Sequence, residues 1–178
     1  MDDREAIFAA LPSAGKKSRP LQAPAPLPRQ TTDAMWQMFA HKLEELGGRM
    51  GRLEDLDIIL ARPHMLDQEV ASKIGRLPSG VPLWEAEVGI TTADLAIAET
   101  GSLLLSTGPA RPRMHSLAPI MHVVVMPKER IVATLAEAFS RLSDRTTILV
   151  TGPSRTADIE GVLVRGVHGP GDIMVIPY

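Results

Sequence analysis

Between Thr31 and Gly48, apolar residues recur at Met35, Met38, Phe39, Leu43 and Leu46, the three-and-four spacing of one helical face. Capping types, Thr and Asp, open this stretch and Gly47-Gly48 closes it, so the pattern predicts an amphipathic helix whose Met/aromatic stripe faces a core. Residues 49–80 carry a mixed signal. RMGRLEDLDIILARP contains a run that fits a strand, and HMLDQEVASKIGRL fits a second helix with Leu66, Val70, Ile74 and Leu77 inward.

Beyond residue 80 the runs shorten. LAIAET and SLLLST flank Thr100-Gly101 and predict two strands joined by a tight turn. MHVVVMP reads as a fully apolar strand and TTILV as another. Between them, PKERIVATLAEAFSRL places Ile131, Leu135, Ala138, Phe139 and Leu142 on one face, with Pro127 near the first turn, and predicts a helix. Strand, helix and strand form a βαβ unit, whose right-handed crossover sets both strands parallel in one sheet and favours ligands at their carboxyl ends. The fold class expected is therefore α/β, an open and mostly parallel sheet with flanking helices.

The loop after TTILV is where a site is expected. In TGPSRTADIEGVLVRGVHGP, residues 151–170, the turn Thr151-Gly152-Pro153-Ser154 leads to Ser154 or Thr156 as cap of a short helix over Ala157–Gly161. Free amides there, with Arg155 beside them, suit a phosphate or carboxylate. Asp158 and Glu160 in the same turn support the competing reading, a self-capped helix with no ligand. The ligand-binding candidates are Thr100, Gly101, Ser102, Thr151, Gly152, Ser154, Arg155 and Gly169. Glu99, at the turn between two apolar strands, and His168, in a Gly-rich loop, are the candidate catalytic groups, each with a structural alternative. Arg111, Arg113 and His115 form a small basic cluster, either solvated loop charge or an anion clamp.

Ahead of the first helix, residues 2–11 could form one short helix. Residues 12–30, PSAGKKSRPLQAPAPLPRQ, read as an extended proline-rich arm, either a loose leader or a strap over a partner subunit, which leaves room for a homo-oligomer. Residues 31–178 then make a single α/β domain, in keeping with a length of 178.

Composition narrows the function classes. A net charge of −2 gives no broad field for nucleic acid or an anionic membrane, and 3% aromatics leave little for base stacking. No run approaches the roughly 18 apolar residues of a membrane span, and the N-terminus lacks signal-peptide character, so a cytoplasmic protein is expected. There is no cysteine, which removes disulfides, thiol nucleophiles and Cys-ligated clusters. The five histidines show no paired spacing on a helix face, so no metal and no cofactor bound by this chain is expected.

VGITTADLAIAETGSLLL at 88–105, MHVVVMPKERIVATLAEAF at 121–139 and, above all, TGPSRTADIEGVLVRGVHGP at 151–170 resemble the lactate-utilisation protein C family, the stand-alone LUD-domain proteins. The resemblance is strong over 80–178 and loose over 31–79. It implies the open α/β sheet shared by CoA transferases, ribose-phosphate isomerase and glucosamine-phosphate deaminase (the NagB/RpiA/CoA transferase-like fold). It also implies an accessory, non-redox part in an L-lactate-oxidising system whose partner subunits carry iron–sulfur clusters. The cysteine-free sequence fits that component and not the larger LUD-containing subunit. The alternative is a metabolite-binding domain or enzyme acting on a phosphorylated or carboxylated small molecule.

Overall fold

The computed structural model of the protein describes residues 30–77, 81–142, 146–157 and 162–178. The expected short helix at 2–11 and nearly all of the proline-rich arm lie outside them.

Helix α1, Thr32–Glu45, is the one the spacing predicts. Thr31 caps it by accepting from the Ala34 amide at 3.3 Å, and Gly47, at φ 84°, ends it in the left-handed region that glycine tolerates. Its buried face is Trp36, Phe39 and Leu43. The Trp36 indole N–H donates to the Lys128 carbonyl at 2.9 Å, which ties the helix to a turn 92 residues away.

The stretch after α1 contains less strand than expected. Strand β1 is only Arg49–Met50, followed by a 3-10 turn at Leu53–Asp55 and helix α2, Leu56–Leu60. Leu66 ends strand β2, His64–Leu66, and does not belong to the following helix α3, Gln68–Ile74. Leu77, expected inward, is exposed, because Gly75 at φ 66° stops the helix before it.

Five parallel strands form the main sheet in the order β1-β11-β6-β3-β2, where β3 is Val88–Thr91, β6 Met121–Met126 and β11 Asp172–Pro177. All six residues of β6 are buried, as a central parallel strand covered on both faces requires. Alternate residues serve opposite cores. Val124 and Met126 pack with α1, whereas Val123 and Val125 pack with Leu56, Ile59 and Val70 of α2 and α3.

A second, four-stranded sheet has the order β7-β4-β5-β8. Strands β4, Leu95–Ile97, and β5, Ser102–Ser106, are the expected hairpin. Strand β8, Thr147–Val150, pairs antiparallel with β5, so β6 and β8 lie in different sheets and the expected βαβ unit is not formed. β8 is also half exposed, with Leu149 outward, which is edge-strand and not core-strand burial.

The predicted helix over 127–142 is shorter than its spacing suggests. The β-branched pair Ile131–Val132 is strand β7, buried and parallel to β4, and only Leu135–Ser140 is helical, as α5. Phe139 and Leu142, expected inward, are exposed. The true start is Thr134, whose hydroxyl accepts from the Glu137 amide at 3.1 Å while Glu137 reaches back to the Ala133 amide at 3.2 Å. Thr134→Ala is expected to cost about 1 kcal/mol in urea denaturation; an unchanged midpoint would show that the cap contributes nothing.

Candidate functional site

A cavity of about 310 Å³ opens where the two sheets meet. Ile148 and Val150 of β8 form one wall, and the turn Thr151–Arg155 forms the rim. The opposite wall comes from the one-turn helix α4, Met114–Leu117, through Ser116 and Leu117, with Arg113 just before it. His122 of β6 and Ile173 of β11, both about 1% exposed, make the floor.

The rim is pinned from two directions. Gly152, at φ 74°, turns the chain so close to α1 that an added Cβ would stand 2.8 Å from the Leu46 Cβ. The Ser154 amide donates to the Pro170 carbonyl at 2.8 Å and the Gly166 amide donates to the Ser154 carbonyl at 3.1 Å, which joins the 151–155 turn to the loop bearing His168.

Of the ten ligand-binding and catalytic candidates named from the sequence, six share one cavity: Thr151, Gly152, Ser154, Arg155, His168 and Gly169. The remaining four do not line it. Glu99 accepts from the Leu135 amide at 3.0 Å and so serves the start of α5. The Thr100 hydroxyl is buried without a hydrogen-bond partner among the described residues. Gly101, at φ 65°, lies against the backbone of α1 near Lys42. Ser102 is buried behind the rim, its hydroxyl 2.8 Å from that of Thr151.

The expected helix over Ala157–Gly161 does not begin where the sequence suggests. Arg155–Ala157 is extended as strand β9 and pairs antiparallel with β10, Leu163–Arg165; Asp158, Glu160 and the rest of that stretch lie outside the described residues. Nor does the cavity sit at the carboxyl edge of the parallel sheet. His122 and Ile173 are the second residues of their strands, so the floor is at the amino end.

The cations divide sharply. Arg155 donates to the Leu46 carbonyl at the end of α1. Arg111 is held by Asp94 at 2.7 Å and Glu69 at 2.9 Å. Arg113 lines the cavity and has no ion pair among the described residues. It was legible in the sequence only as one member of a basic cluster.

Two further features escaped the sequence reading. His122 is fully buried, and burial alone pushes its imidazole down from 6.5 to about 4, so it is neutral at physiological pH. Its Nε2 lies 2.9 Å from the Thr91 hydroxyl. At the carboxyl end of β2, Asp67 is 1% exposed and accepts from His115 Nδ1 at 2.7 Å. Burial raises the Asp67 carboxyl above its ordinary value, against the opposing pull of His115 and Arg111. Glu69 beside it bridges Arg111 and Arg130, the latter at 2.8 Å. A carboxylate after an apolar strand was the available signal, but HMLDQEV scans as one helix.

Among the described residues no helix is long and apolar enough to cross a membrane, and no cluster of three or more His, Asp or Glu side chains is arranged to hold a metal ion.

The structure is similar to a crystal structure of a DUF162 family protein from Deinococcus radiodurans, with a TM-score of 0.55 at 20% identity, covering 84% of this chain and 99% of that one. That is a likeness of fold, and it agrees with the open, mostly parallel α/β architecture. In sequence the chain is 35% identical over 101 residues to Lactate utilization protein C of Oceanobacillus iheyensis and 38% identical over 94 residues to that of Macrococcus caseolyticus. These alignments cover 52% and 48% of this chain, and 43% and 41% of the two relatives, so the chain matches less than half the length of either. The LUD domain model matches residues 83–177, a stretch that contains every residue lining the cavity. The chain belongs to the LUD domain family.

Proposed function

We propose that the protein serves L-lactate utilisation as a non-redox component, working beside iron–sulfur subunits and holding a small anion in the cavity behind the 151–155 turn. The observation that carries the lactate assignment is the similarity to two proteins named Lactate utilization protein C, beside a LUD domain match over residues 83–177 that includes the cavity. The non-redox part rests on chemistry. A sequence without cysteine cannot supply the thiolates that hold such clusters, so the clusters would sit on another chain. The anion part rests on Arg113 and His168 at the cavity mouth, the former without a carboxylate partner among the described residues.

Growth of a strain lacking this gene tests the assignment. The strain is expected to fail on L-lactate and to grow normally on pyruvate, which enters after the oxidation. Complementation at matched protein level with Arg155→Ala is expected to restore growth, because that side chain is spent on the Leu46 carbonyl; Arg113→Ala is expected to restore it poorly. Normal growth of the deletion strain on L-lactate would overturn the pathway reading. Affinity purification of the full chain from lactate-grown cells is expected to bring down cysteine-rich, iron-containing proteins, and their absence would remove the partnership.

A further inference from the structure

The cavity is larger than lactate needs. At about 30 Å³ for each water-sized group, 310 Å³ holds on the order of ten non-hydrogen atoms, whereas lactate has six. Its two ends also differ in kind. The floor is His122 and Ile173, both buried, and contains no charged side chain among the described residues. The mouth has Arg113, His168 and the hydroxyls of Ser116 and Ser154. A carboxylate or phosphate driven to the floor would lose its water and gain no counter-charge, a cost of several kcal/mol. The anionic end of any occupant therefore belongs at the mouth.

What the floor offers is a hydrogen bond. His122 is fixed by Thr91 through one ring nitrogen, and Nδ1 has no partner among the described residues although the ring lines the cavity. A ring nitrogen that makes no hydrogen bond among the described residues, on a side chain lining a cavity, is available to an occupant. Ser102 and Thr91, the other buried hydroxyls nearby, are each already engaged. The neutral state of the imidazole lets Nδ1 meet a hydroxyl or a carbonyl oxygen according to tautomer, and Thr91 can adapt as donor or acceptor.

We propose that His122 is the specificity-determining residue of this cavity, contacting a hydroxyl or carbonyl oxygen at the neutral end of a small phosphate monoester whose single anionic end is taken by Arg113 and His168. This rests on the reading of the cavity as an anion site, and it names the class of molecule that would fill it. Thr91 is a positioning residue that acts through the imidazole.

Titration calorimetry on the full chain, with glycerol 3-phosphate, L-lactate and inorganic phosphate as probes, tests it. Glycerol 3-phosphate is expected to bind about tenfold or more tightly than either of the others, since it alone spans mouth and floor with its charge at the mouth. His122→Leu is expected to weaken glycerol 3-phosphate about tenfold and to leave inorganic phosphate unchanged, because phosphate stays at the mouth. Arg113→Ala is expected to weaken both. Thr91→Val keeps the shape of the core and removes only the hydroxyl that orients the ring. It is expected to reproduce part of the His122→Leu loss, and it keeps the test open if His122→Leu folds poorly. Binding of glycerol 3-phosphate that is indifferent to both floor variants, or no tighter than that of inorganic phosphate, overturns the role of His122 while leaving an anion site at the mouth. Failure of all three probes to bind overturns the anion site itself.

Discussion

Lowering the pH from 6.5 to 4 is expected to destabilise the protein by about 3 kcal/mol through His122. The imidazole is held neutral in the fold down to about pH 4, while in the unfolded chain it takes a proton near pH 6.5. Between those values the unfolded state binds more protons, so stability rises with pH, and each pH unit across the interval is worth about 1.4 kcal/mol. The contribution is fully present above pH 6.5 and is lost as the pH falls through 4. Asp67 acts with the opposite sign: its raised carboxyl contributes stability below the unfolded value of 3.8, lost as pH rises through its folded value. The two effects separate in a difference measurement. Urea midpoints at several pH values between 4.5 and 7, for the native sequence and for His122→Gln, should converge as the pH falls, because only the former carries the buried imidazole. Parallel curves would show that His122 does not titrate as its burial requires.

Gly89→Ala is expected to cost about 3 kcal/mol, the upper end of the usual overpacking range, and to damage the cavity at a distance. A Cβ at residue 89 would stand 1.7 Å from the His115 carbonyl oxygen and 2.8 Å from its carbon. Both are backbone atoms of α4, so no side chain can swing away to relieve the clash. The helix must lift from β3, and it takes with it the wall formed by Ser116 and Leu117 and the adjoining Arg113. Denaturation should therefore show the stability loss, and calorimetry with glycerol 3-phosphate should show weakened binding although no cavity residue has changed. Gly108→Ala is the control: an added Cβ there meets nothing within 4 Å, and its effect should stay within about 0.5 kcal/mol. A Gly89→Ala protein as stable as that control would mean that α4 does not rest on β3 as described.

What could be read from the sequence was what is local. Helix α1 carries its cap, its stripe and its terminator within 31–48, and the β4–β5 hairpin carries its turn at Thr100-Gly101, so both followed from pattern alone. The stretch 127–142 misled because Ile131, Leu135 and Ala138 sit at helical spacing, yet Ile131 has a buried place beside Ala96 of β4 that outweighs the spacing. Thr134 and Glu137, three apart, were the local sign of the true start. The same division runs through the site. The rim residues 151–155 and His168-Gly169 could be picked out because they form one continuous string of turn chemistry. His122 could not: in MHVVVM it is one polar letter in a strand, and its meaning comes from Gly89 and Ile173 alongside and Thr91 above, all set by sheet register. At Glu99 the sequence admits both a chemical role and a structural one with backbone amides; the amide it meets is that of Leu135, 36 residues on, which no local pattern shows.

The order of the parallel sheet governs how the chain is made as well as how it is held. Strand β11 lies between β1 and β6, pairing Arg49 with Met174 on one side and Met121 with Asp172 on the other. On a ribosome, residues 49–50 and 121–126 emerge long before 172–177, and nothing can join them until the later segment is available. During that interval β6, six consecutive buried residues, has only β3 for a neighbour and leaves one apolar edge uncovered. Non-local pairing of this kind makes folding slow and exposes the nascent chain to aggregation. The protein is accordingly one whose yield should depend on chaperone capacity and translation speed, even where its finished form is stable.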